Sequence, residues 1–254
     1  MSAFEIVAIL LAGVAAGTIN TVVGSGTLIT FPTLLAFGVP PVTANVSNTI
    51  GLVPGSVSGA VGYRRELAGQ RSRVLRFCVA SLIGGIVGAV LLLVLPDGAF
   101  AAIVPVLIVL GLVLVVFQPR ISAWVAKRHD ATGGMPHHGT WWVWPGVLGT
   151  GVYGGYFGAA QGVLLMAVLG TGVDEDLQRL NAIKNVLSAI VNAVAGLIFA
   201  LVASVDWWIV LLIGVGSVIG GQIGATVGRR LPSAVLRIVI VAVGLAALTA
   251  FLLG

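Results

Sequence analysis

Charge and cysteine are what this chain has least of. A single cysteine, Cys78, excludes an internal disulfide and a cysteine metal cluster. Charged residues make up 8% of the chain, against roughly 25% in a soluble domain, which excludes a large water-facing surface. Carboxylate pairs, metal-ligand sets and nucleophile–base sets are missing from the apolar parts, so enzyme readings are poor and no cofactor or metal is expected. The three histidines, His129, His137 and His138, fall in one loop and read as solvated rather than metal-binding. Met1-Ser-Ala-Phe-Glu5 lacks a basic stretch, so a cleaved signal peptide is not expected.

What is present is apolar. The chain is 58% hydrophobic with a mean hydropathy of +1.13, the composition of an integral membrane protein. Its 36 glycines suit close-packed membrane helices. The net charge of +5 does not point to nucleic acid, because the basic residues sit in a few loops beside apolar segments, as topology determinants do. Trp141, Trp142, Trp144, Trp207 and Trp208 stand at segment ends, where indoles anchor at the membrane interface.

Apolar runs fall at about 3–37, 41–61, 74–95, 99–118, 142–170, 181–203, 207–228 and 234–253. Six are near the ~20 residues that cross a bilayer; 3–37 and 142–170 are not. As one helix, 3–37 would be about 52 Å long against a core of about 30 Å. Its centre is polar and glycine-rich (Asn20, Thr21, Gly24, Ser25, Gly26, Thr27), and 149–162 repeats the character with Tyr153-Gly-Gly-Tyr-Phe-Gly158 and Gln161. Unwound backbone in lipid must be buried in protein or line a wet cavity, so both runs read as broken helical hairpins.

The basic residues test this. Arg64, Arg65, Arg71, Arg73 and Arg76 share one loop, placed in the cytoplasm. If 142–170 crosses once, Arg179, Arg229, Arg230 and Arg237 are stranded outside; if it enters and returns, every loop Lys and Arg is inside.

An internal repeat supports the hairpins. Ser81-Leu-Ile-Gly-Gly-Ile-Val-Gly-Ala89 matches Ser217-Val-Ile-Gly-Gly-Gln-Ile-Gly-Ala225 at a spacing of 136; Gly24 pairs with Gly158, and Asn48 with Asn185, at 134 and 137. The expected fold is therefore an all-α polytopic membrane protein of two inverted-topology repeats, each a broken, re-entrant helical hairpin plus three transmembrane helices. Residues 1–118 form the first repeat, 119–141 a cytoplasmic linker and 142–254 the second. Gly84-x-x-x-Gly88 and Gly220-x-x-x-Gly224 read as faces for close helix approach.

Asn181, Asn185, Ser188 and Asn192 are spaced for one helical face, beginning after an acidic first turn at Asp174, Glu175 and Asp176. The counterpart helix carries Asn45, Asn48, Thr49 and Ser56, with Pro54 as an expected kink. Such amides either glue helices together or line a path. Lys184 lies well inside an apolar run; it either snorkels to the interface or draws an anion inward. Gln161 and Gln222 are weaker candidates, as uncharged donors facing the centre. Gly24-Ser-Gly-Thr27 lacks the lysine and preceding strand of a phosphate loop.

The run Ala16-Gly-Thr-Ile-Asn-Thr-Val-Val-Gly-Ser-Gly-Thr-Leu-Ile-Thr-Phe-Pro32, then Gly38-Val-Pro-Pro41 and Ser47-Asn48-Thr49, resembles the TauE/SafE family of sulfite and organosulfonate exporters. Gly154-Gly-Tyr-Phe-Gly158 and Lys184-Asn185 resemble its second half. The family's multi-glycine run is here Gly24-Ser-Gly-Thr27, and Thr49 stands where a lysine is often found. The resemblance implies export of a small sulfur-containing anion across the plasma membrane. The expected binding residues are Asn20, Thr21, Gly24, Ser25, Gly26, Asn48, Gly158, Gln161, Lys184 and Asn185, working by alternating access with a gated anion channel as the rival. Expected partners are the small anionic substrate and the lipid bilayer, with a homodimer as a possible assembly and no nucleic acid.

Overall fold

The computed structural model describes residues 1–131, 139–227 and 233–253. Among them there are ten α-helices and no strand: α1 (Ala3–Val22), α2 (Thr27–Ala36), α3 (Pro41–Gly62), α4 (Arg71–Val94), α5 (Asp97–Ala131), α6 (Val143–Tyr156), α7 (Gln161–Gly172), α8 (Leu177–Val202), α9 (Trp207–Thr226) and α10 (Ser233–Leu253). Five stretches, in α1, α4, α5, α8 and α9, are long and apolar enough to cross a membrane. Their outward faces carry large apolar side chains such as Leu91, Val106 and Leu201, as lipid-facing surfaces do.

Both long runs are broken. α1 begins on a capping box, in which Ser2 and Glu5 satisfy each other's backbone N–H. It ends where the Val23 and Gly24 N–H groups both donate to Ile19 O, with Gly24 at φ +88°. α6 ends the same way: Phe157 and Gly158 donate to Tyr153 O, with Gly158 at φ +77°. In each, a left-handed glycine ends the helix with a six-residue bond to the carbonyl that the preceding N–H also uses. The two stops lie 134 residues apart, donor for donor and acceptor for acceptor. Beyond the hairpins, α8, α9 and α10 each begin 136 residues after α3, α4 and α5. Counted from the helix starts, Asn48 falls opposite Lys184, one residue from the pairing with Asn185 read from the sequence.

The helices of each half pack on the other half. α1 and α3 lie on α9, α6 and α8 lie on α4, and α3 crosses α8. Glycines set the closest approaches. A Cβ on Gly88 would sit 2.1 Å from Val152 O, and one on Gly220 would sit 2.0 Å from Val14 O. The two small-residue faces are thus contact surfaces for α6 and α1. Phe31, Phe100, Tyr156 and Phe157 form an edge-to-face cluster joining α2, α5 and the α6–α7 break, with Phe31 and Phe157 at 5.1 Å.

Contacts between turns define two ends of the bundle. At one end, Arg179 Nη2 donates to Ala68 O (3.0 Å) and Arg73 pairs with Glu175 (2.8 Å), bringing the α3–α4 and α7–α8 turns together. Arg179 therefore shares an end with Arg64 through Arg76. At the other end, Phe4 stacks on Phe37, the Asp206 N–H donates to Ser47 Oγ, and Pro40, Leu92, Gly98 and Ala203 line one pocket. The outer ends of α1 and α2 meet at this second end. Those of α6 and α7 meet at the first, where the Thr140 N–H donates to Gly172 O.

Three expectations need amending. α5 runs on to Ala131, so the start of the expected linker continues a helix. Asp174, Glu175 and Asp176 precede α8 instead of forming its first turn, because Glu175 is drawn off by Arg73 and Arg179 (2.6 Å). Gln222 is exposed and donates to Ser58 O and Oγ, tying α9 to α3 instead of facing the centre. Arg229, Arg230, His137 and His138 lie outside the described residues, and the side chain of His129 is likewise not described.

Candidate functional site

The two helix breaks meet. A Cβ on Gly24 would lie 2.3 Å from Gly162 Cα, and the Gly162 N–H donates to Gly24 O at 3.0 Å. Only glycine permits this approach, since both backbones occupy the space a side chain would need. Gly24 also requires its left-handed φ.

Breaking α1 leaves its last carbonyls without intrahelical donors. They are answered from α8. Lys184 Nζ donates to Asn20 O (3.0 Å) and Thr21 O (3.1 Å), and the Asn181 and Asn185 amides each donate to Thr21 O (3.3 Å). Lys184 is 0% exposed, which rules out snorkelling to the interface. It has no carboxylate partner among the described residues. The negative end of the α1 dipole offsets part of its charge. A lysine buried in this way without a carboxylate is a costly feature that in membrane segments usually marks a solute or ion path.

The centre is rich in donors. Thr21 O, with two lone pairs, is shared by three donating side chains at long distances. Gln161 Nε2, Ser25 Oγ and Ser188 Oγ are buried with no partner among the described residues; Asn181 Oδ1, an acceptor, is likewise left without a donor. Spare N–H and O–H groups beside an unpaired ammonium fit oxygen atoms of an anion.

The other expected residues divide by role. Asn48 on α3 is fully buried; it accepts from Thr30 Oγ1 and donates to Thr27 Oγ1 (3.3 Å), fixing the first turns of α2. The Asn20 amide donates to Ser56 Oγ (3.3 Å), so its backbone carbonyl, not its side chain, meets Lys184. Gly26 packs on Ala16 O, and Gly158 closes α6; both shape turns. Asn192 donates to Ser56 Oγ (3.1 Å) and Asn45 to Tyr156 O (3.0 Å), so these amides bind helix to helix. Gly162, Thr27 and Thr30 belong to the arrangement although the sequence reading left them off its site list. A spacing of 134 from Thr27 to Gln161 was the available signal for Thr27.

Outside the bundle centre, burial would raise the pKa of the Glu175 carboxyl. Hydrogen bonds and charge from Arg73 and Arg179 outweigh that and hold it below its ordinary value.

A multi-pass helical protein whose two helix breaks close on a buried, unpaired cation is of the membrane-transporter class. The comparisons place it more narrowly: a family model described as "Sulfite exporter TauE/SafE" matches residues 9–251, and the chain belongs to that family. It is 26% identical over 245 residues to a probable membrane transporter protein, ORF9, of Sinorhizobium sp, covering 96% of this chain and 91% of that one. It is 26% identical over 213 residues to the probable membrane transporter YfcA of Escherichia coli K12, covering 83% and 76%. A probable membrane transporter of Haemophilus influenzae is 24% identical over 216 residues, covering 84% and 81%. No solved structure matches.

Proposed function

We propose that this transporter exports a small sulfur-containing anion, sulfite or a small organosulfonate, across the plasma membrane by alternating access. The family description supports the substrate class. The observation that carries the reading is Lys184: a fully buried ammonium held only by backbone carbonyls, beside unpartnered donors at the meeting point of two helix breaks. An anion between the hairpin tips would take over those donors and neutralise the charge.

In this reading, residues 1–118 and 142–254 are two repeats of opposite orientation joined by the cytoplasmic segment 119–141. The constant spacing of helix starts and the hairpins opening at opposite ends of the bundle support it. The Gly24–Gly162 contact favours a carrier over an open pore, because a solute passing between the tips must part them. Export needs no coupled ion: an anion leaving a negative-inside cell gains about 2.3 kcal/mol per charge per 100 mV.

The test is flux of radiolabelled sulfite by the purified protein in liposomes with a clamped potential. Saturable efflux that grows with inside-negative potential is expected. Single-channel currents, or flux that depends strictly on a pH gradient at zero potential, would overturn the mechanism; sulfate moving in place of sulfite and sulfonates would overturn the substrate class.

A further inference from the structure

The two halves differ at one matched pair of residues. In the first half, Asn48 of α3 donates to Thr27, the first residue of α2. Matched by helix starts, Thr27 falls opposite Gln161, the first residue of α7, at a spacing of 134, and Asn48 falls opposite Lys184 at 136. The corresponding contact, Lys184 to Gln161, is not made. Lys184 reaches instead to the other hairpin, onto Asn20 O and Thr21 O. Gln161 is left 4% exposed, with its Nε2 unpartnered and its carboxamide lying over Gly154. The two are nevertheless neighbours. A Cβ on Gly162, the residue after Gln161, would sit 3.1 Å from Lys184 Cδ, so the lysine stem already runs past the start of α7.

Resting on the two-repeat reading above, we infer that Gln161 is the second resting place of Lys184. In the opposite-facing state the ammonium leaves the α1 carbonyls and donates to Gln161 Oε1, making in the second half the contact that Asn48 makes to Thr27 in the first. Two repeats related by a two-fold axis exchange conformations when the carrier turns over. A contact made in one half and vacant in the other is what such an exchange predicts for a single state. The lysine is a good shuttle because its flexible four-carbon stem moves a compact charge between acceptors without moving the helix. Gln161 is then a positioning residue that acts through Lys184 on the state of the carrier.

The test reads the state directly. Ser25→Cys in a Cys78→Ser background is labelled in liposomes by a membrane-impermeant maleimide applied from either face. Gln161→Glu adds a negative charge at the second resting place, and labelling is expected to move from the face favoured by the parent to the opposite face. Adding Lys184→Met should cancel the move. Gln161→Leu removes the acceptor, and labelling is expected to stay on the face favoured by the parent while sulfite turnover falls about tenfold or more. Labelling unchanged by Gln161→Glu, or a labelling shift that survives Lys184→Met, would overturn the proposal. So would a Gln161→Leu variant whose labelling moves to the opposite face. The labelling needs no substrate, so it stands or falls apart from the export reading: a parent that moves no sulfite but shows the Lys184-dependent shift would sink that reading and keep this one.

Discussion

The two helix breaks are built alike and finished differently. Each begins with a left-handed glycine stop, at Gly24 or Gly158, and each starts its second helix at the same spacing. The first break is then filled from outside: α8 supplies Lys184, Asn181 and Asn185 to its carbonyls, and α3 supplies Asn48 to its second helix. The second break draws one backbone bond from the first, Gly162 to Gly24, takes the Asn45 amide on Tyr156 O and the Tyr153 hydroxyl on Ala159 O, and keeps a buried glutamine N–H without a partner among the described residues. It also holds Ala160 at φ +59°, a conformation an alanine adopts at a cost. Near-symmetric backbone thus carries asymmetric chemistry, with one hairpin held and the other left partly open to a new partner.

The largest effect on this contrast should come from Lys184→Met. It removes the charge and the donor shared by Asn20 O and Thr21 O, and sulfite flux is expected to fall about 10- to 100-fold, from the ~1.5–3 kcal/mol of a charged hydrogen bond. Flux retained near the parent level would show that the buried ammonium is only helix glue.

Next come the two glycine stops. Gly24→Ala meets both a left-handed φ and the backbone of Gly162, so a loss of about 2–4 kcal/mol of stability is expected. Gly158→Ala meets the same φ but only Gly154 O at 3.1 Å, and about 1–2 kcal/mol is expected. Thermal unfolding in detergent compares them, and equal losses would remove the tip contact from the argument.

A smaller effect is expected at the end of the bundle. The Glu175 carboxyl is held below its ordinary value of 4.5, so its pairing with Arg73 and Arg179 stabilises the fold above that value and is lost as pH falls through the depressed one. Glu175→Gln should therefore be less stable than the parent at neutral pH, with the gap closing as pH falls below the ordinary value of 4.5. A gap constant down to pH 3 would mean that the pair contributes through shape alone.

The smallest change should be Ala160→Gly. Relief of the left-handed alanine, less the added freedom of the unfolded chain, is expected to raise stability by about 0.5–1 kcal/mol. A decrease would show that the Ala160 methyl packs better than its backbone strains.

Much of this was written locally. Polar, glycine-rich centres in runs too long for one crossing marked both breaks, because unwound backbone in lipid needs small residues and partners. The paired Ser-x-Ile-Gly-Gly motifs gave the repeat and the close-packed faces, since a backbone-on-backbone approach tolerates no side chain. Asn181, Asn185 and Asn192 were rightly placed on one buried face of α8 by their spacing alone. The acidic run before α8 was misread as a helix start, because the arginines that draw off Glu175 come from 102 residues away and from within α8 itself. Gln222 was misread as central, because apolar surroundings in sequence do not say which face of a helix looks outward.

By itself, then, the sequence determined composition, the number of apolar segments, the two breaks and the repeat, all of which depend on residue type and periodicity. The direction in which each buried polar group is spent was decided only in three dimensions. Lys184 was visible as a buried charge. That it turns to the carbonyls of α1 and leaves Gln161 without a partner depends on which helix end lies within reach of a side chain, a long-range fact of packing that no local pattern carries.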